Sequence, residues 1–244
     1  MEPFDDSAAL TPSATGDPHG RPALRADAAR NRLRVVEAAR EVFARDGLDA
    51  PMNEVARRAG VGIATLYRRF PTREDLIASV FAEKMNAYAS AIEDALADPD
   101  PWHGFCAYVE RVCAMQANDR GFTEVLTLTF PTAEAFEAKR HESYAGFSEL
   151  VARAKAAGRL RPDFSAEDLP LLLMANAGVV VATGDAAPGA WRRVVAYMTQ
   201  AFAAGHTEPL PPPPDERAMY QAMLRLARKD GTGGSSGSGG APLT

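Results

Sequence analysis

The apolar residues of this chain recur at the spacing of α-helices along most of its length. A first stripe ends at Gly47 and is expected to face a core: Leu33, Val36, Ala39, Val42 and Phe43. Later stretches predict helices over residues 72–97, 102–118, 123–130, 131–158, 165–183, 191–202 and 215–229. Thr72 with Asp75, and Ser165 before two acidic residues, are the expected N-terminal caps of two of them. No segment alternates apolar and polar residues over the length of a strand, so the sequence predicts an all-α protein.

Two short helices separated by a glycine turn follow the first long helix. The first, from Asn53, has a narrow apolar face and ends at Gly60-Val61-Gly62. The second, over residues 63–70, turns Leu66 and Phe70 inward. Its outer side chains are polar: Thr65, Tyr67, Arg68 and Arg69. Hydroxyl and guanidinium groups bind phosphates and base edges, so this arrangement is typical of a helix-turn-helix that reads DNA.

Four motifs stand in order between Arg30 and Val80: RNR, A-R-x-x-F-x-x-x-G, V-A-x-x-A-G-V and T-L-Y-x-x-F-P-T-R-E-x-L. With them, this region resembles the DNA-binding region of the tetracycline-repressor (TetR) family of transcriptional regulators. The resemblance covers about a fifth of the chain. It implies an N-terminal three-helix helix-turn-helix head, joined by a long helix to a C-terminal helical body that binds a ligand and dimerises.

The resemblance also implies which residues contact DNA. They are expected on the recognition helix, at its start and on the flanking helices: Arg30, Arg32, Gly62, Ile63, Ala64, Thr65, Tyr67, Arg68, Arg69 and Arg73. Tyr67 is expected at a phosphate or base, with packing between helices as the alternative, and Arg73 is expected to bind a phosphate. Family members commonly differ at four positions: Pro51, Gly62, Ile63 and Arg69. The preferred bases are therefore left open.

The charge of the chain is divided between its two parts. The whole sequence carries −5, whereas residues 20–74 carry 12 Arg against 7 acidic residues, a net +5, which leaves −10 elsewhere. A basic head on an acidic body is expected when only the head faces a polyanion, because phosphates repel the body.

The chain is expected to divide into five segments. They are a disordered arm (1–24), the DNA-binding head (25–74), the regulatory and dimerisation body (75–206), a proline spacer with a last helix (207–229) and a flexible tail (230–244). The first twenty residues lack the apolar core of a signal peptide, and the longest nearly apolar run, 169–182, is shorter than the ~20 residues of a membrane helix. We therefore expect a soluble, cytoplasmic protein without a membrane partner.

The chain contains residue types that serve in catalytic sites, metal sites and disulfides, but not at the spacing that such sites need. The sequence has no nucleophile elbow, phosphate-binding loop or zinc-protease motif, so an enzyme is not expected. His103 and His141 lack partners at metal spacing, so neither a metal nor a cofactor is expected. Cys106 and Cys113 lie too far apart along one helix for a disulfide, about 10 Å. They are either core residues or a thiol sensor.

Two helices of the body are too apolar to be covered by one chain alone. They are the run LPLLLMANAGVVVA and the helix from Trp191 to Phe202. By resemblance to the family, they pack against their symmetry mates in a homodimer, through Leu172, Val179, Trp191, Val194, Val195, Met198 and Phe202. The alternative is that both helices are interior to a monomeric bundle.

Aromatic residues are concentrated in the middle of the body and suit an apolar small-molecule pocket. The predicted pocket comprises Phe105, Tyr108, Val109, Val112, Phe122, Leu126, Phe130, Tyr144, Phe147, Met174 and Asn176. An ordinary helical core is the alternative for each aromatic residue. Asn176, a lone amide in an apolar helix, is expected to bind a ligand, a symmetry mate or a neighbouring carbonyl, and the sequence does not choose between them.

These features predict a transcriptional repressor that binds a palindromic operator in double-stranded DNA as a homodimer. A small apolar or aromatic effector in the body is expected to shift the helix from Thr72 to Ala97 and release the DNA. The alternative is a ligand-independent DNA-binding or architectural protein, and activation in place of repression stays open.

Overall fold

The computed structural model describes residues 20–205 and 208–230, and in that part of the chain helices dominate. They are α1 (Gly20–Asp46), α2 (Met52–Ala59), α3 (Ile63–Arg69), α4 (Arg73–Ala97), α5 (Pro101–Ala117), α6 (Arg120–Thr127), α7 (Glu134–Ala156), α8 (Asp168–Thr183), α9 (Ala190–Phe202) and α10 (Glu216–Asp230). A short 3₁₀ turn, Gly184–Ala186, separates α8 from α9. The extended pairing within the described residues is a single bridge between Leu160 and Ala203. The all-α prediction is confirmed.

Two helix boundaries in the body are set by side-chain hydrogen bonds, and one predicted cap is not used. The Asp119 carboxylate accepts a hydrogen bond from the Phe122 N–H at 2.9 Å, so α6 begins at Arg120 and not at Thr123 as predicted. The Phe130 N–H donates to the Glu137 carboxylate, which leaves residues 128–133 outside α6 and α7. The predicted cap Ser165 is wrong, because α8 begins at Asp168 with Glu167 in the cap position.

The head consists of α1, α2 and α3 around a small apolar core. Gly60 ends α2 in the left-handed conformation, with φ of 65°, and the Val61 N–H behind it donates to the Ala56 carbonyl at 3.0 Å. Leu33 was predicted to face the core, but 67% of it is exposed. The buried stripe of α1 instead starts at Val35, and Leu33 lies about 200° around the helix from it.

The arm predicted over residues 1–24 is only partly described. Residues 20–24 lie within α1, which begins at Gly20, and residues 1–19 lie outside the described residues. The predicted tail over 230–244 lies outside them too, apart from Asp230.

The long helix α4 connects the head to the body. The predicted capping box is present: the Asp75 N–H donates to the Thr72 hydroxyl, and the Thr72 N–H donates to the Asp75 carboxylate, each at 3.0 Å. Helix α4 packs against α1 of the head and against α5 and α7 of the body. One rigid element is therefore shared by both parts.

The core of the body is built largely of aromatic rings. Phe105 stacks on Phe147 at a centroid distance of 5.9 Å and meets Phe164 edge-on at 5.3 Å. Tyr108 packs against Phe147 at 5.4 Å. All four side chains are fully buried, so they join α5, α7 and the segment before α8 into one core.

Helix α8 crosses this core with one buried amide. The Asn176 Nδ2 donates to the Gln116 Oε1 at 2.8 Å and to the Cys113 carbonyl at 3.3 Å. Of the three expected partners of Asn176, the structure shows a neighbouring carbonyl, together with Gln116. This pairing fixes the register of α8 on α5.

The segment Asp168–Ala186, 19 residues, is long and apolar enough to cross a membrane by length and composition. The apolar run 169–182 is shorter than this segment because the segment includes polar residues at either end of the helix. Here α8 packs against α5, α6 and α9. Its exposed residues include Leu171 and Val181, which makes it a helix with one uncovered apolar side.

Candidate DNA interface, dimer face and effector cavity

The recognition helix α3 presents a mixed apolar and basic surface. Leu66 and Phe70 anchor it in the core of the head, which leaves Ile63 and Tyr67 exposed, Tyr67 by 46%. Tyr67 therefore does not pack between helices. Gly62 precedes α3, and a side chain added at Gly62 would meet nothing within 4 Å. The start of the helix is open to the approach of another molecule.

The exposed arginines of the head differ in their pairing. On α1 and α2, Arg40 pairs with Glu37 at 2.8 Å, Arg57 pairs with Glu54 at 2.6 Å, and Arg58 pairs with Glu41. On α3, neither Arg68 nor Arg69 has a hydrogen bond or ion pair with the described residues, and both are exposed. The unpaired guanidinium groups thus lie on the same helix as Ile63 and Tyr67.

Three of the predicted DNA-contacting arginines bind their own chain. Arg30 pairs with Asp27 one turn earlier on α1. Arg32 donates to the Ser79 hydroxyl at 2.9 Å and lies over the Phe70 ring. Arg73 Nη1 donates to the Leu48 and Ala50 carbonyls, both at 2.7 Å. Arg73 therefore holds the turn between α1 and α2 against the start of α4.

The body also contacts the turn between α1 and α2. Sequence reasoning did not predict this contact. The Leu48 N–H donates to the Glu124 carboxylate of α6 at 2.8 Å. A separate hydrogen bond joins the start of α4 to the segment before α7: the Glu74 carboxylate accepts from the Thr132 N–H at 2.7 Å. Leu48 and Glu124 are 76 residues apart, so no local pattern could reveal the pair.

The exposed side of α8 and α9 carries large apolar side chains beside two arginines. Val181 and Tyr197 are 64% and 56% exposed, and Leu171 is exposed as well. Arg192 lies over the Trp191 ring at 4.7 Å, and Arg193 lies over the Tyr197 ring at 5.0 Å. We call the surface formed by Leu171, Val181 and Tyr197 the α8/α9 face.

The residues predicted for the dimer interface lie partly beneath this face. Leu172, Trp191 and Val195 are buried within the protomer, because they point towards α5 and the helix beside them. Val179, Val194, Met198 and Phe202 are half-buried at the edge of the face. Three of the seven predicted residues are therefore covered by the protomer itself, and the other four remain partly accessible to a second copy.

One cavity of about 380 Å³ lies where α10 crosses the body. Tyr88 of α4, Arg140 and Tyr144 of α7, and Leu173 of α8 line one side of it. Met219 and Met223 of α10 line the other side and are only 6% and 8% exposed. A volume of this size suits a drug-sized molecule.

Two predicted pocket residues, Leu126 and Tyr144, lie on the wall of this cavity. The remaining nine lie elsewhere: Phe105, Tyr108, Val109, Val112, Phe122, Phe130, Phe147, Met174 and Asn176. Apart from the half-buried Met174, they are buried, and the rings of Phe105, Tyr108 and Phe147 pack on one another as part of the core. The space instead opens beside the aromatic core, against α10.

The two thiols lie in apolar surroundings. Burial raises the pKa of the Cys113 thiol to about 12 and that of the Cys106 thiol to about 11. Both therefore stay protonated near neutral pH and lack the nucleophilic thiolate that a sensor needs. Of the two alternatives, core residues fit better. Within the described residues, no group of three or more His, Cys, Asp or Glu side chains could hold a metal ion.

Comparison with known proteins identifies both parts of the chain. Residues 35–80 match the profile of bacterial regulatory proteins of the tetR family, and residues 100–200 match the C-terminal domain of SbtR-like transcriptional regulators. A TetR transcription regulatory protein from Mycobacterium vanbaalenii is 32% identical, and the match covers 74% of this chain and 99% of that one, with a TM-score of 0.44.

Other relatives are similar over the head or in fold. The fatty acid metabolism regulator protein of Bacillus subtilis is 33% identical over 63 residues, 25% of this chain and 32% of its own. An HTH-type regulator of Staphylococcus aureus is 36% identical over 66 residues, 27% of this chain and 36% of its own, so the chain spans about a third of the length of these curated relatives. FadR from Bacillus subtilis, solved in complex with stearoyl-CoA, shares the fold at 16% identity, with 72% of this chain and 99% of that one covered and a TM-score of 0.53. The two profiles together cover more than half of the chain, and they show that it belongs to the TetR family of transcriptional regulators.

Proposed function

We propose that this protein is a repressor that binds a palindromic operator as a homodimer and leaves it when a small apolar or aromatic effector enters the body. The observation that carries the proposal is the surface of α3, where Ile63 and Tyr67 are exposed beside two unpaired guanidinium groups. TetR-family regulators are soluble DNA-binding proteins and not enzymes. We infer the same role, in the cytoplasm, for this chain.

Binding to DNA follows from charge and shape at α3. Arg68 and Arg69 have no carboxylate to leave when they meet a phosphate, so their binding costs no broken ion pair. Ile63, Ala64 and Thr65 lie at the start of the helix, the part that reaches base edges in a helix-turn-helix complex. The open space at Gly62 lets a phosphate approach the N-terminus of α3. Arg30, Arg32 and Arg73 are proposed to support the head and not to bind phosphates.

A homodimer follows from the α8/α9 face. Large apolar side chains gathered on one side of two adjacent helices are typical of a subunit interface. A two-fold axis through this face would pair α8 and α9 with their copies, and the two heads would then read an inverted repeat whose half-sites lie ~34 Å apart.

Release by an effector follows from the position of the cavity. Leu126 and Thr129, at and beyond the end of α6, lie on its wall, and Glu124 on the same helix holds the Leu48 N–H of the head. An effector that displaces the end of α6 would move the turn that Arg73 fastens to α4. A coupling free energy of about 3 kcal/mol would change operator affinity more than 100-fold. The cavity favours this mechanism over a ligand-independent DNA-binding protein.

Selection of bound duplexes from a random pool tests the proposal, with Tyr67→Ala run in parallel. The parent protein is expected to enrich an inverted repeat, and the variant is expected to lose it because a side chain at the DNA surface is gone. Enrichment of the same repeat by both proteins, or of nothing by the parent, would refute the proposed role of α3.

A further inference from the structure

The last helix lies beyond the part of the chain that matches the family, yet it completes the cavity. The family profiles end at residue 200, whereas α10 spans Glu216–Asp230. Four of its residues line the cavity: Arg217, Met219, Tyr220 and Met223. One wall of the proposed effector site therefore lies outside the residues that the profiles match.

A clamp fixes the proline spacer that leads to α10. The Asp163 carboxylate accepts hydrogen bonds from Arg161 and from the Leu210 N–H at 2.9 Å, and the Arg161 guanidinium donates to the Glu208 carbonyl at 2.7 Å. The hydrogen bonds from Arg161 and Leu210 lower the pKa of Asp163 to about 2, so the clamp stays charged at neutral pH. The proline-rich spacer then leads to α10, which lies across the body.

The contact of α10 with the cavity is apolar and adaptable. Met219 and Met223 are buried there, and methionine fills irregular space because its unbranched chain has three rotatable bonds. The hydrogen bonds at the start of α10 are local ones, from the Ala218 and Met219 N–H groups to Asp215. A helix docked in this way can adjust to a molecule inserted beneath it.

The opposite wall carries hydrogen-bond donors without acceptors. The Thr129 hydroxyl and the Arg140 Nε are buried and have no hydrogen-bond partner. Arg140 is fixed by its Nη2, which donates to the Val125 carbonyl at 2.8 Å, and its Nε forms an ion pair with the Glu137 carboxylate at 3.5 Å that is too long for a hydrogen bond of good geometry. A buried donor without an acceptor is costly, so a ligand oxygen that supplied one would be bound favourably.

The carboxylates of the cavity already have donors. Glu137 accepts a hydrogen bond from the Phe130 N–H at 2.9 Å. Glu167 accepts hydrogen bonds from the Tyr144 and Ser165 hydroxyls, and the Ser165 hydrogen bond is the main reason that the pKa of Glu167 is lowered. The groups left over on the wall are thus donors, which favours a ligand that brings acceptors.

We propose that the cavity binds an amphipathic molecule whose apolar body packs under Met219 and Met223 and whose head presents an anionic or strongly accepting oxygen to Thr129 and Arg140. Helix α10 is the wall that closes over it. This inference rests on the effector role proposed for the same cavity, and it adds the chemical class of the effector and the part that holds it.

Two fluorescent probes with one aromatic frame test the class of ligand. Anilinonaphthalene-8-sulfonate carries an acceptor head, and N-phenyl-1-naphthylamine lacks it. We expect the sulfonate to bind one site per protomer about tenfold more tightly than the neutral probe, because a charge-assisted hydrogen bond is stronger than a neutral one. Equal affinities, or tighter binding of the neutral probe, would overturn the proposed head group.

Variants assign the two ends of the ligand. Thr129→Val keeps the side-chain shape and is expected to weaken the sulfonate about fivefold while leaving the neutral probe unchanged. Arg140→Met is expected to act in the same direction, but it also frees the Val125 carbonyl, so Thr129→Val is the safer variant. Equal loss for both probes in Thr129→Val would contradict a polar contact at this hydroxyl.

Helix α10 has its own matched pair. The double variant Met219→Gln with Met223→Gln is expected to weaken both probes alike, about tenfold, because the apolar wall is lost. Ala218→Gln, on the exposed side of the same helix, should change neither. Unchanged binding in the double variant would show that the probes sit elsewhere, and the proposal would fall. Probe binding needs no DNA. A failure of the probe experiment would therefore concern the proposed effector alone, and a failure of duplex selection would concern the proposed DNA binding alone.

Discussion

The recognition helix and the α8/α9 face both expose large apolar side chains, but the charges beside them differ. On α3, Ile63 and Tyr67 stand next to Arg68 and Arg69, which have no partner among the described residues. On the α8/α9 face, Arg193 instead lies over the Tyr197 ring and extends the apolar surface with its stem. Free guanidinium groups favour a polyanion, whereas exposed apolar side chains with arginine stems packed on them favour another protein. The surroundings of an exposed apolar residue thus indicate its partner better than the residue itself does.

The strongest way to break this comparison is to charge the α8/α9 face. Tyr197→Glu puts a carboxylate on a surface that must lose its water when two copies meet, so we expect a monomer. Operator affinity should fall more than about 100-fold, because the two heads then bind independently. Sedimentation and duplex titration would measure both effects.

Leu210→Glu provides the control for that change. Leu210 is an exposed apolar residue of the proline spacer, outside the α8/α9 face and not on the cavity wall. It should leave the dimer intact. If Tyr197→Glu also stayed dimeric, the assignment of this face would be wrong.

A second test compares two arginines of the head. Arg69→Ala removes an unpaired guanidinium and is expected to weaken operator binding about tenfold and to reduce the salt slope by about 1. Arg57→Ala removes an equally exposed arginine that is paired with Glu54, and it should change affinity less than about twofold. Equal losses would mean that pairing does not separate the arginines that bind phosphate from those that do not.

A smaller effect is expected at the start of α3. Ile63→Ala shortens an exposed apolar side chain that is placed to meet a base, such as the methyl group of thymine. We expect an affinity loss of about threefold and relaxed preference at one position of each half-site, read from a repeated selection. Uniform weakening at every position would instead indicate damage to the fold of the head.

The smallest effect on dimerisation and operator affinity is expected from modification of the two thiols, which lie on neither α3 nor the α8/α9 face. With pKa values raised to about 11 and about 12, Cys106 and Cys113 hold little thiolate below pH 9, and reactivity should rise only as the pH approaches 11. N-ethylmaleimide at pH 7.5 should therefore leave dimer mass and operator affinity unchanged, as mass spectrometry and titration would show. Rapid labelling at that pH with loss of DNA binding would make the protein a thiol sensor after all.

Features set by neighbouring residues were predictable from the sequence. The Thr72 and Asp75 capping box needs only a spacing of three residues, and Gly60 needs only its place in the turn. The recognition helix followed from four ordered motifs within one short region. The all-α fold followed from periodicity alone.

Features set by distant parts of the chain were not predictable. The family resemblance implies that Arg73 contacts a phosphate, and it gives no sign that the Arg73 Nη1 donates to the carbonyls of Leu48 and Ala50 in the folded head. The aromatic residues around Phe147 marked the core, since rings pack well against rings. The cavity forms where α10 packs on the body. The apolar periodicity of α10 predicts a helix, but it does not predict which part of the body that helix covers.

In the proposed assembly, α3 binds DNA while the α8/α9 face binds a second copy. The most direct test compares a selected duplex that carries the full inverted repeat with one that carries a single half-site. Sedimentation with increasing protein would give the number of protomers and the affinity for each duplex. We expect cooperative binding of protomers in pairs to the full repeat and an affinity for the half-site that is lower by about 100-fold. A single protomer bound with equal affinity to either duplex would contradict the assignment of α3 to DNA and of the α8/α9 face to a second copy.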